Sequence, residues 1–111
     1  ILDAARPAVA LYVGGMGARG KNFYNDICRA YGFEEAATRV QDLYLDGRKA
    51  EAEAAVPTEM LELSHLVGPP GHVRERIAVY QEAGVTALAV NPVGPDAAKT
   101  IGTLRTMIDD L

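Results

Sequence analysis

The chain has 111 residues, 49% hydrophobic and 23% charged, with a net charge of −4, the composition of a soluble globular chain of one domain or less. No apolar run approaches the ~18 residues a membrane span needs, no signal peptide opens the chain, and Lys and Arg are scattered instead of striped as a nucleic-acid surface requires. Cys28 is the single cysteine, which excludes a disulfide framework and fits a reducing cytoplasm.

The first thirteen residues allow two readings. Asp3 can cap a helix that tolerates Pro7 near its first turn, while Ala8-Val9-Ala10-Leu11-Tyr12-Val13 can equally be a short buried strand. A glycine-rich stretch from Gly14 to Gly20 follows, and Asn22 to Tyr31 reads as a helix stopped by Gly32. Cys28 falls inside it as a small buried thiol. Phe33, Ala36, Ala37, Val40, Leu43 and Tyr44 then recur at helical spacing and form one apolar face, ended by Gly47. Residues 48–55 are rich in the helix formers Ala and Glu; Pro57 breaks that run, and Thr58 is placed to cap a short helix carrying Met60, Leu61 and Leu63.

The last third changes rhythm. Leu66-Val67 is a brief apolar step before Gly68-Pro69-Pro70-Gly71, and Val73, Ile77 and Tyr80 mark a helix that stops at Gly84. Val85-Thr86-Ala87-Leu88-Ala89-Val90 is almost continuously apolar, as a strand covered on both faces is. Asn91-Pro92 closes it, Pro95-Asp96 opens a final helix, and Ala97, Ile101, Leu104, Ile108 and Leu111 are its expected buried stripe. Strand, helix, strand, helix is the order of parallel α/β units. The fold expected is therefore α/β, mostly helical, with two short parallel strands at about residues 66–67 and 85–90. So small a pair cannot close a barrel. Together with a start at Ile1-Leu2-Asp3 that lacks Met, this makes residues 1–111 read as one incomplete domain of a larger protein.

Gly15-x-Gly17-x-x-Gly20 satisfies the dinucleotide-binding pattern, and Gly15 to Lys21 nearly satisfies a phosphate-binding loop. The first needs an acid ending a second strand ~20 residues on, but Gln41-Asp42 lies inside the clearest helix. The second needs Ser or Thr after its lysine, where this chain has Asn22. The remaining readings are a plain turn or a flexible loop at the rim of a cleft.

Tyr12-Val13-Gly14-Gly15-Met16-Gly17 followed by Lys21-Asn22-Phe23-Tyr24 resembles the C-terminal third of the luciferase-like monooxygenase superfamily, closest to the branch that uses the deazaflavin coenzyme F420. Ala30-Tyr31-Gly32-Phe33, Ala55-Val56-Pro57, Leu66-Val67-Gly68-Pro69 with Val73-Arg74-Glu75-Arg76, and Gly84-Val85 agree with it in order and spacing. The resemblance implies the C-terminal portion of a (β/α)8 barrel, with 66–67 as its seventh strand and 85–90 as its eighth. It implies an oxidoreductase that passes hydride between F420, or alternatively FMN, and a small organic substrate. Barrel active sites sit at strand C-terminal ends, which makes Gly68, Asn91 and Gly94 candidates for the cleft lining. Gly15, Gly17, Arg19, Lys21 and Tyr24 are candidates at its rim, where two cations beside glycines suit an anionic substrate or cofactor tail. The catalytic groups would come from earlier strands, so these residues alone are not expected to bind cofactor or to catalyse. The partners implied are the rest of the barrel and a second copy. The alternative is a small helical binding or assembly module without catalysis, followed by a nucleotide-binding protein using Gly15 to Lys21.

His65 and His72 have no further ligand at metal spacing and read as a helix-end and a first-turn residue. Glu51, Glu53, Glu59 and Glu62 read as a solvated face.

Overall fold

Helices are the only regular elements in the computed structural model, which describes residues 1–111. A short 3-10 turn at Leu2–Ala5 leads into α1 (Arg6–Ala10), where Pro7 occupies the first turn and its missing N–H costs no helical bond. The chain then widens into one π turn, Leu11–Gly15. The run from Ala8 to Val13, open between helix and strand in the sequence, is thus helical. It is followed by α2 (Phe23–Ala30), α3 (Glu34–Leu45), α4 (Lys49–Ala55), α5 (Thr58–Ser64), α6 (Pro70–Glu82) and α7 (Ala97–Asp109).

The chain divides into two compact units, Leu2–His65 and Leu66–Leu111. The core of the first consists of Ala10, Val13, Ala37, Val40, Ala52, Val56, Met60 and Leu61. Three of these eight are alanines, which lets helix backbones approach closely. The apolar face read from the α3 sequence is the one that packs: Ala37 and Val40 are fully buried, and Phe33, Ala36, Leu43 and Tyr44 close around them. Gly47 ends α3 at φ +80°, a left-handed conformation that returns the Arg48 amide to the Leu43 carbonyl at 2.9 Å. Thr58 begins α5 but does not cap it; Pro57 holds the cap position. The Thr58 hydroxyl instead accepts from Arg6 at 3.0 Å, and the same guanidinium donates to the Val56 carbonyl and to Asp3 at 2.8 Å. Arg6 thereby ties the start of the chain to the α4–α5 turn.

In the second unit only Val73, Ile77 and Met107 are buried, with Leu66, Leu88 and Leu104 packed against them. Here two expectations are corrected. Neither Leu66-Val67 nor Val85 to Val90 is a strand, so α/β gives way to an all-helical chain. A strand is defined by its ladder, and the main chain from Thr86 to Pro95 makes no backbone hydrogen bond. The apolar run read as doubly covered is instead mostly exposed, with only Leu88 half-buried. Of the stripe expected on α7, only Leu104 packs against this cluster, while Ile101 is 53% and Leu111 49% exposed; the one buried residue of α7 is Met107, outside that stripe.

Candidate functional site

The π turn ends at Gly15, and the last carbonyls of any helix have no amide ahead of them. Two asparagines fill that gap. Asn22, 1% exposed, donates from Nδ2 to the carbonyls of Tyr12 (3.0 Å) and Val13 (3.1 Å). Its Oδ1 accepts from the Asn25 amide at 3.0 Å, which caps α2. Asn25, 3% exposed, donates from Nδ2 to Val13 O at 3.0 Å and Ala37 O at 2.9 Å. Its Oδ1 accepts from Arg29 Nε at 2.7 Å, and Arg29 reaches on to the Thr38 hydroxyl at 2.8 Å. The π turn, α2 and α3 therefore meet at two buried amides whose hydrogen-bonding capacity is almost fully used.

The glycine-rich loop spans the gap between Gly15 and Asn22. The Lys21 amide donates to Ala18 O at 2.9 Å, closing the loop on itself. A Cβ at Gly17 would lie 2.5 Å from Lys21 O, so the close return needs glycine there. Gly15 and its neighbour Gly14 face Tyr44 on α3; a Cβ at Gly14 would stand 2.6 Å from Tyr44 Cβ, and one at Gly15 would overlap the ring. The Lys49 ammonium lies 5.6 Å from the centre of that ring. Of the two loop cations, Arg19 pairs with Asp42 at 3.0 Å in an exposed ion pair, the kind that contributes little to stability, and Lys21 is exposed. Tyr24 packs edge-on against Tyr12, with ring centres 4.8 Å apart, and against Phe23 at 5.7 Å.

This geometry removes the strand that both nucleotide-binding readings require before the glycines: Leu11–Gly15 is helical. The base of the loop is tied by the Asn22 and Asn25 hydrogen bonds to the π turn. Gly15, Gly17, Arg19, Lys21 and Tyr24 are brought together in the first unit, while Gly68, Asn91 and Gly94 belong to the second. A Cβ at Gly68 would come within 2.9 Å of the His72 ring, whose Nε2 is buried without a partner. Asn91 and Gly94 are exposed in the irregular segment before α7. Asn25 was not singled out in the sequence, Tyr44 entered only as part of the α3 apolar face, and Asp42 only as an acid misplaced for a dinucleotide site. For Asn25 the signal existed: Asn22-x-x-Asn25 opens a helix at capping spacing.

The other residues weighed in the sequence have structural surroundings. His65 ends α5, with Nδ1 2.9 Å from the Ser64 hydroxyl and 3.1 Å from Leu61 O. Glu51 is bound by Arg48, whose hydrogen bonds hold its carboxyl below the ordinary range. Cys28 is half-buried against the first core, and burial pushes its thiol up. An open groove of about 850 Å³ runs along α3, lined by Arg29, Arg39, Glu34, Glu35, Thr38 and Asp42 among others. No three His, Cys, Asp or Glu residues gather closely enough to hold a metal ion, and no helix is long and apolar enough to cross a membrane.

Comparison with known proteins bears on residues across both units. The sequence profile of the family described as luciferase-like monooxygenase matches residues 2–87. A protein of Mycobacterium tuberculosis, provisionally named a coenzyme F420-dependent oxidoreductase, is 36% identical over 99 residues, which cover 89% of this chain. The chain spans 28% of that relative's length. No solved structure matches.

Proposed function

The chain belongs to the luciferase-like monooxygenase family, and from that premise we propose that it is the C-terminal part of a barrel oxidoreductase that passes hydride between coenzyme F420 and a small organic substrate. The observation that carries the F420 assignment is the 36% identity to a relative bearing that name. In this reading Gly15, Gly17, Arg19, Lys21 and Tyr24 stand at the cleft rim and Gly68, Asn91 and Gly94 line it. The complete protein works with a second copy of itself.

The residues present suit one portion of such a cofactor and not another. A flat ring system needs a mostly apolar enclosure, whereas the groove along α3 is open and lined by charges of both signs. The loop offers an exposed Lys21 and, at Gly20, a backbone with open space on its Cβ side. That arrangement suits an anionic tail or an anionic substrate, held by charge and by main-chain approach. When bound, the deazaflavin supplies the hydride; this chain's residues orient the anion and leave the ring to groups outside it.

The test is a titration of the complete translated protein with coenzyme F420, followed by deazaflavin fluorescence, with FMN in parallel and residues 1–111 as a third sample. Saturable binding of F420 by the complete protein, weaker binding of FMN and none by residues 1–111 is the expected pattern. Failure of the complete protein to bind either cofactor would leave a helical binding module without catalysis as the better reading.

A further inference from the structure

The loop from Met16 to Lys21 has the outward signs of a lid. It is glycine-rich, exposed at its tip and joins two helices. Its base contradicts that. Both ends are fixed by the same amides: Asn22, the residue that closes the loop, donates to Tyr12 O and Val13 O, the carbonyls just before it opens. Asn25 adds a second donor to Val13 O and anchors it to Ala37 O on α3. Buried amides engaged in this way are costly to release, since each would leave carbonyls unpaired away from water. Within the loop, Lys21 N bonds to Ala18 O, and the chain returns so close to Gly17 that a Cβ there would lie 2.5 Å from Lys21 O.

We infer that Asn22 and Asn25 are positioning residues, which hold Met16 to Lys21 as a preformed turn and present Arg19 and Lys21 from a fixed platform. Arg19 is already paired with Asp42, and Lys21 projects from an ordered main chain, so an anion arriving at Lys21 costs little backbone freedom. The value of this arrangement to a ligand rests on the proposed function; the rigidity of the loop does not.

Trypsin reads the loop directly, because it cuts after Arg19 and after Lys21 and must open the turn to do so. Asn22→Ser keeps an acceptor for the Asn25 amide, and so keeps the α2 cap, but removes the two Asn22 donations to Tyr12 O and Val13 O, leaving the Asn25 donor on Val13 O. It should speed cleavage at those two bonds by about tenfold, from the loss of two buried hydrogen bonds, with helix content unchanged. Val40→Ala, which loosens the same core, should speed cleavage at Arg29 and Arg39 as much as at the loop. Unchanged loop cleavage in Asn22→Ser, or acceleration specific to the loop in Val40→Ala, would overturn the inference. Should Asn22→Ser not fold, hydrogen exchange in the unsubstituted chain decides: the Lys21 amide must exchange far more slowly than in a free peptide, and a free-peptide rate sinks the idea. Adding pyrophosphate separates this from the ligand reading. No change at the Arg19 and Lys21 amides would remove the anion assignment while leaving the trypsin result to stand.

Discussion

A methyl group added at Gly14 and one added at Gly15 run into the same side chain at different depths. At Gly15 every near neighbour is a ring atom of Tyr44; at Gly14 the nearest is Tyr44 Cβ, with the Val40 carbonyl oxygen also close at 3.1 Å. Gly14→Ala and Gly15→Ala should each lower stability by about 1–3 kcal/mol, the usual cost of overpacking, measured by thermal or urea unfolding. Replacing Tyr44 by Ala removes the ring but leaves Cβ and the Val40 backbone in place. Tyr44→Ala should therefore relieve Gly15→Ala and fail to relieve Gly14→Ala. Equal rescue of both would show that the glycines serve something other than the seat for this ring.

Cys28 allows a pH prediction with a definite sign. Burial raises its folded pKa above that of an ordinary thiol, so between the unfolded and folded values the unfolded state has lost a proton that the folded state still holds. Its contribution is complete below the unfolded pKa and is lost as pH rises through that window. Unfolding midpoints taken from pH 8 upward should fall more steeply for the unsubstituted chain than for Cys28→Ala, and alkylation at pH 8 should be slower than for a free cysteine. Parallel profiles for the two proteins would contradict this.

At the scale of elements, α7 offers the sharpest contrast between what the sequence suggested and what the structure uses. Ile101, Leu104, Ile108 and Met107 all lie on the helix, yet only Met107 is buried. Met107→Ala should cost about 2–4 kcal/mol, as deletions from a core do. Ile101→Lys should stay within about 0.5 kcal/mol, as exposed sites do. Both are readable by urea unfolding, and reversed magnitudes would mean that another face of α7 is the packed one. The helices themselves were legible. Gly32, Gly47 and Gly84 stop them in the sequence and in the structure, because a glycine in a left-handed turn is a local property of the chain. The stripe of α3 was legible because its neighbours α2 and α4 adjoin it in sequence. Val85 to Val90 was misread because a strand exists through a partner, and a run of apolar residues carries no information about whether one is present. The asparagines were half-legible. Asn22 was read as the start of a helix and as a misfit to a phosphate loop, but a cap alone does not reveal donors reaching ten residues back to Tyr12.

Across the whole molecule, the apolar stretch from Val85 to Val90, which joins no sheet, has a consequence for how the protein behaves in a tube over days. It is six residues long, uncharged, rich in β-branched and aliphatic side chains, and free of proline until Pro92. Segments of that kind stack into cross-β ladders once many copies are available, and this one is already mostly exposed, with its main chain unbonded from Thr86 onward. A concentrated solution of residues 1–111 should show a lag and then a rise in thioflavin T signal, and preformed aggregate added as seed should abolish the lag. Thr86→Lys, which puts a charge into every layer of such a stack, should lengthen the lag several-fold, on the order of the protection gatekeeper charges give. The same six residues that mark a strand in the sequence would then set the shelf life of the chain, through nucleation instead of through folding.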